Sequence, residues 1–207
     1  MKQEINLDTW LRKDHFNFFS QFEEPYFGVC VEIDCTKAYA KAKMLKCSFF
    51  LYYLHKSLMA VNRIESFRYR ISDGKVYLYN KINTSPPIDR QDGTFGYAYI
   101  EYFEYFEQFT SEAKIVIDQV RNAKGLFPAS SGENVIHFSA VPWIDFTSVS
   151  HPRSFSFKDS CPKLAIGKMT MNGEKKTFPL SVHVHHGLMD AYHVGLFIDE
   201  FQKLMNE

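Results

Sequence analysis

The stretch "SVHVHHGLMDAYHVGLFIDEFQ", Ser181 to Gln202, changes its period part-way along. At its start residues alternate: Leu180, Val182, Val184 and His186 point to one side of a strand, and Ser181, His183 and His185 to the other. After a short gap, Val194, Phe197, Ile198, Phe201, Leu204 and Met205 follow the i, i+3, i+4 spacing of one helical face. A strand therefore runs into an amphipathic helix through a tight loop. Asp190 falls at or near the helix start, where a negative charge and a capping acceptor are both favoured. His186 is the last residue of the apolar side, which places an imidazole at the strand's end beside the core.

Elements of both kinds lie upstream. "KLAIGKMTMNGEKKTFPLSVHVHH" reads as two strands around an Asn172-Gly173 turn, and "YFGVCVEID" (Tyr26 to Asp34) as a strand of aromatic and β-branched residues. "TKAYAKAKMLKCSFFLYYLHKSLMAVN" is a long helical stretch with room for one break. "SFRYRI" and "KVYLYN" meet at Ser72-Asp73-Gly74, a hairpin turn that wants positive φ. "TFGYAYIEY" reads as a strand, and Phe106 to Ala123 as a helix stopped by Gly125. "NVIHFSAV" is a strand ending at Pro142. Helices and strands alternate irregularly, with hairpins among them. The fold class is α/β, with a mixed sheet and packed helices rather than a doubly wound parallel sheet. With 207 residues and no Pro/Gly/Ser linker, the chain reads as one domain, 1–207, large enough to bury a core without staples.

Lysine plus arginine equals aspartate plus glutamate at 24 each, so the formal net charge is zero. That balance argues against nucleic acid as a partner. No apolar run approaches the roughly 18 residues of a membrane span, and "MKQEINLDTW" has no secretory apolar core. The cysteines Cys30, Cys35, Cys47 and Cys161 show no CxxC spacing, which fits free thiols in the cytoplasm. The 20 Phe and 12 Tyr suggest aromatic-lined cavities or interfaces in addition to a packed core.

Three readings fit the four histidines of the opening stretch. A zinc site wants three or four ligands, but His185 and His186 point to opposite sides of a regular strand. A half-buried strand can carry histidines that are simply satisfied by their neighbours. A general base is the third reading, since an imidazole titrating near neutrality suits proton removal from a hydroxyl. Spacing alone does not choose among them.

Two further stretches do. "TWLRKDHFNFF" contributes Trp10, Arg12, Lys13, Asp14, His15 and Phe16, and "PWIDFTS" contributes Pro142, Trp143, Phe146, Thr147 and Ser148. With His185, His186 and Asp190 they form three co-ordered motifs, and in this the chain resembles the chloramphenicol acetyltransferase family along essentially its whole length. The resemblance implies a CoA-dependent acyltransferase-like two-layer sandwich. It implies acetyl transfer from acetyl-CoA, as co-substrate, to a hydroxyl of chloramphenicol, with no metal and no acetyl-enzyme. His186 is then the general base, Ser148 the donor to the oxyanion, and Asp190 paired with Arg12 the support of the histidine's loop. Phe19, Phe27, Phe146 and Thr94 (beside Phe95) fall where the family contacts its acceptor. A homotrimer is implied, with active sites at subunit interfaces and His186 facing the neighbouring chain's pocket.

Two departures stand out. The family usually has Gly where this chain has Ala191, and often Thr where it has Ala165. Ala191 is costly only if its backbone needs φ > 0. Ala165 removes a hydroxyl that would hold water near the transition state, which leaves open an acceptor other than chloramphenicol: another hydroxylated small molecule, or a ligand merely bound by a non-catalytic trimer.

Overall fold

The computed structural model describes residues 1–126, 132–154 and 159–207. The chain begins with β1 (Lys2–Glu4), α1 (Lys13–Phe19) and β2 (Tyr26–Asp34). Two helices follow, α2 (Thr36–Met44) and α3 (Phe49–Arg63), then a 3-10 turn and the hairpin β3 (Tyr69–Ser72) and β4 (Lys75–Tyr79). The short strands β5 (Asn83–Ser85), β6 (Pro87–Asp89) and β7 (Phe95–Tyr97) lead to α4 (Phe106–Asn122). The last third holds β8 (Val135–Ala140), β9 (Lys163–Ile166), β10 (Thr170–Asn172), β11 (Lys175–His185) and α5 (Ala191–Met205).

The main sheet is mixed. β8 runs parallel to β5 and to β9, whereas β11 is antiparallel to β9, to β10 and to β2. β11 is its spine: Thr177 to His185 pair with β2 on one side, and β10 and β9 share the other. Phe178, Leu180, Val182 and Val184 are sealed on the helix-covered side, where the Phe178 ring meets Phe49 and Tyr53 of α3. Each such side chain contributes about 1.5–3 kcal/mol by leaving water. α3 and α5 pack together over this side, giving the two-layer α/β sandwich.

Local chemistry explains the element ends. The long helical stretch breaks at Leu45–Ser48, where Lys46 takes φ 52° and Ser48 restarts the helix by accepting from the Leu51 N–H. Asp73 and Gly74 both have positive φ, as the tight hairpin demands. Of "TFGYAYIEY" only Phe95–Tyr97 is a strand; beyond it a single bridge joins Ile100 to Thr84. "KLAIGKM" separates as β9, because Gly167 lies against Pro179, the Ile144 carbonyl and the Phe146 ring and the chain bends there.

β11 is not half-buried: Ser181 and His185 on its second side are also sealed. The segment after β8 covers this side, with the His151 ring against His183 (centroids 5.0 Å) and the Arg153 guanidinium over Tyr26 (3.8 Å). β2 accommodates the histidines with a glycine. A Cβ at Gly28 would stand 2.3 Å from the His183 ring, so that position has no room for a side chain. Among the described residues no helix is long and apolar enough to cross a membrane.

Candidate active site

β11 ends at His185, one residue earlier than the alternation suggests, and His186 begins the turn. Its N–H donates to the Pro25 carbonyl (2.8 Å), which extends the β2 pairing by one step. The ring therefore stays on the side of Val184 and Phe27. Phe19 of α1 stacks on it almost flat, centroids 4.0 Å apart and 5° between planes, and Phe27 tilts against it at 4.6 Å. Nδ1 is sealed and has no hydrogen-bond partner. His186 is only half-buried, so the polar edge it offers outward is Nε2.

Asp190 and Arg12 hold the turn from behind. Arg12 Nη1 donates to Asp190 Oδ2 (2.8 Å), and Nη2 donates to the His186 carbonyl (3.2 Å), so one guanidinium grips both ends of the loop. Asp190 is also the N-cap of α5, accepting from the Tyr192 N–H, and His193 completes a capping box. Leu188 and Met189 between them are sealed in the core. Burial opposes the Asp190 charge, but the hydrogen bonds from Arg12 and His193 outweigh it and hold the carboxyl well below its usual range. This stabilisation is complete above the unfolded value of 3.8 and is lost only as acid reaches the lower native value. Arg12→Ala is expected to cost about 1–3 kcal/mol, between an exposed and a fully buried pair. A urea midpoint shift checks this, and an unchanged midpoint would contradict it. Asp190→Asn in the Arg12→Ala background should add little.

The other three histidines of the stretch have partners of their own. His185 Nδ1 accepts from the Gly187 N–H (3.1 Å), and burial lowers its pKa to about 4, so it is a neutral turn-former. His183 Nδ1 lies 3.1 Å from Ser181 Oγ, and His193 Nδ1 2.8 Å from Asp190 Oδ1. His193 lies in the helix after the loop and fills a capping-box position that usually carries Glu or Gln. The Pro25 carbonyl left no sequence signal at all.

The remaining candidates lie elsewhere. A cavity of about 1100 Å³ opens between α3, α4 and the ends of β8 and β9, lined by Phe49, Tyr53, Thr94, Arg121, Trp143 and Met169 among others. Thr94 is exposed and donates its hydroxyl to Asp92 in the β6–β7 turn (2.7 Å). Phe146 packs behind the cavity wall, on Gly167. Ser148 is exposed two residues further along and makes no hydrogen bond to any described residue. Neither His186, Phe19 nor Phe27 lines this cavity. A single chain thus brings Phe19, Phe27, Arg12, Asp190 and His186 together but does not join them to the cavity or to Ser148.

A family model described as chloramphenicol acetyltransferase matches residues 2–202. The chain belongs to the chloramphenicol acetyltransferase family. Curated chloramphenicol acetyltransferases from Proteus mirabilis and Staphylococcus aureus are each 28% identical to it over 204 residues. The alignments cover 98% of this chain and 94% of the Proteus protein, and 97% of each chain for the Staphylococcus one. A solved chloramphenicol acetyltransferase superposes with TM-score 0.92 at 33% identity, covering 99% of this chain and 100% of that one. The dihydrolipoamide acetyltransferase of Azotobacter vinelandii shares the fold, with TM-score 0.68 at 12% identity over 94% of this chain and 86% of that one. The protein is an acyltransferase.

Within the family the two departures become concrete. Ala191 is the first residue of α5 and does not have positive φ, so it is unstrained. Ala165 is sealed in β9 and pairs laterally with Ser139 and Ser181, whose hydroxyls lie on its own side of the sheet.

Proposed function

We propose that the protein transfers the acetyl group of acetyl-CoA to a hydroxyl of chloramphenicol, and so acts as an antibiotic-resistance enzyme. The observation that carries this reading is the single outward-facing nitrogen of His186, held in an aromatic clamp and braced by Arg12 and Asp190. His186 Nε2 takes the acceptor's hydroxyl proton as its oxygen attacks the thioester carbonyl. Ser148 Oγ–H donates to the resulting oxyanion. Collapse breaks the carbon–sulfur bond, and the imidazolium returns its proton to the departing CoA thiolate. No metal enters these steps.

His186 and the cavity are separate within one chain, which supports a homotrimer in which His186 of one protomer serves its neighbour's cavity. Thr94 and Phe146 then belong to the cavity half of the acceptor site, and Phe19 and Phe27 to the base half. The 1100 Å³ cavity lies just above the usual range of small-molecule sites, roomy enough for a pantetheine arm and an acceptor.

The test follows CoA thiol release from acetyl-CoA with chloramphenicol and with a panel of other hydroxylated small molecules. Release that depends on chloramphenicol supports the reading, whereas release only with other alcohols keeps the chemistry and moves the acceptor. No release with any acceptor overturns it. Sedimentation should give three times the 24.2 kDa chain mass, and a monomer would contradict the shared site.

A further inference from the structure

The sheet carries a second set of chemistry-bearing side chains on the side away from His186. His137 on β8, Asp159 and Cys161 just before β9 place one potential ligand atom each within 4.8 Å of one another. We propose that His137, Asp159 and Cys161 form a site for a divalent zinc-class ion.

The donor set is one imidazole nitrogen, one carboxylate oxygen and one sulfur. Mixed N/O/S ligation suits zinc, while magnesium and calcium prefer oxygen alone. The imidazole is free to ligate, since neither His137 nitrogen has a hydrogen-bond partner among the described residues and the ring is only half-buried. Burial and the neighbouring Lys163 keep it neutral, its pKa lowered to about 4, which is the form a metal requires. The carboxylate is positioned already. Asp159 accepts from the Cys161 N–H (2.8 Å), which makes a small loop that turns both side chains the same way.

Lys163 is the competing cation, since its ammonium is paired with Asp159. Two lone pairs on each carboxylate oxygen leave room for both. The ammonium and the buried Arg70 guanidinium also favour the Cys161 thiolate over the thiol, although burial keeps the unmetallated thiol up at about 11. Binding therefore releases one proton from Cys161. The ion's two positive charges meet the new Cys161 thiolate and the Asp159 carboxylate, whose charge it shares with the Lys163 ammonium. A fourth position stays open to water through the exposed part of His137. The bound ion would tie β8 to the strand entry of β9. His137 pairs laterally with Lys163, which in turn pairs with His183 on the side of the sheet away from His186, so the site is structural and separate from acetyl transfer.

Cobalt(II), a spectroscopic stand-in for zinc, tests this on the chelator-stripped native protein. One cobalt per chain is expected, with intense tetrahedral visible bands and a near-ultraviolet thiolate charge-transfer band. Zinc should displace it and raise the melting temperature. Cys161→Ser should remove the charge-transfer band, and Asp159→Asn, which keeps the side-chain shape, should weaken binding by roughly tenfold or more. Both variants are to keep the native circular dichroism spectrum and acetyl-transfer rate. Absence of stoichiometric binding, or a charge-transfer band that survives Cys161→Ser, would overturn the proposal.

Discussion

Replacing His186 with alanine is expected to lower kcat for acetyl transfer by about 10²–10⁴-fold, the usual yield of a positioned general base. The substitution removes the only ring nitrogen that faces outward, and no neighbour can take its place. Phe19 and Phe27, which touch the ring, have no proton acceptor. His185 is turned to the other side of the sheet and uses its Nδ1 on Gly187. KM for acetyl-CoA should change little, because the clamp and the cavity remain. Stability should fall only modestly: the ring's contacts with Phe19 and Phe27 are lost, but the backbone bonds of residue 186 to Pro25 and Arg12 do not involve its side chain. Steady-state kinetics and a thermal melt on the same preparation check the two halves. A variant retaining more than about a tenth of native kcat would remove His186 from the base role.

The second large effect is acid lability. His185 and His151 are held neutral by burial, with smaller contributions from Arg153 and from His183, and both pKa values fall from 6.5 to about 4. His55 and His183 are shifted the same way, again chiefly by burial. Above pH 6.5 the native and unfolded chains are both neutral at these rings and stability is flat in this respect. Between about 6.5 and 4 the unfolded chain binds protons that the native one refuses, so native stability falls as pH falls. Below about 4 the native rings also protonate and the loss stops growing. For the nearly sealed His185 the full effect is about 3 kcal/mol; for the half-buried rings it is less, since solvent screens them. Together the loss is on the order of 5 kcal/mol, comparable to the whole stability of a typical domain. Urea midpoints at pH 7.5 and 5.0, with chelator present, measure it. Equal midpoints would show that these rings titrate normally. His185→Gln should flatten the slope.

The sequence reading was strongest where local chemistry dictates the backbone. Tyr26–Asp34, the Asp73-Gly74 hairpin and the amphipathic face of α5 follow from side-chain period and from turns that need positive φ. It was weakest where the cause is distant. "TFGYAYIEY" has strand composition, yet only Phe95–Tyr97 forms a strand, and no local rule says which strand it will meet. β11 looked half-wet because histidine and serine alternate with valine. What seals their side is the segment after β8, about thirty residues upstream. At the site, Arg12 meets Asp190 where the motif resemblance implied, although they are 178 residues apart. The cluster of His137, Asp159 and Cys161 was invisible in sequence because β8 and β9 bring it together.

The central position of β11 governs how the protein is made. β2 leaves the ribosome first, and its partner strand follows after about 140 residues. Through that interval β2 has an open edge, and the apolar sides of α3 and β8 lack the layer that completes them. Pairing over such a span is slow, and waiting chains are exposed to aggregation. The β2–β11 pairing can form only once β11 has been synthesised, and a chaperone that shields the early strands should raise the yield. The strand that completes the sheet is also the one that delivers His186 into its clamp. A chain stalled before β11 therefore lacks both the spine of the sheet and the turn that carries His186.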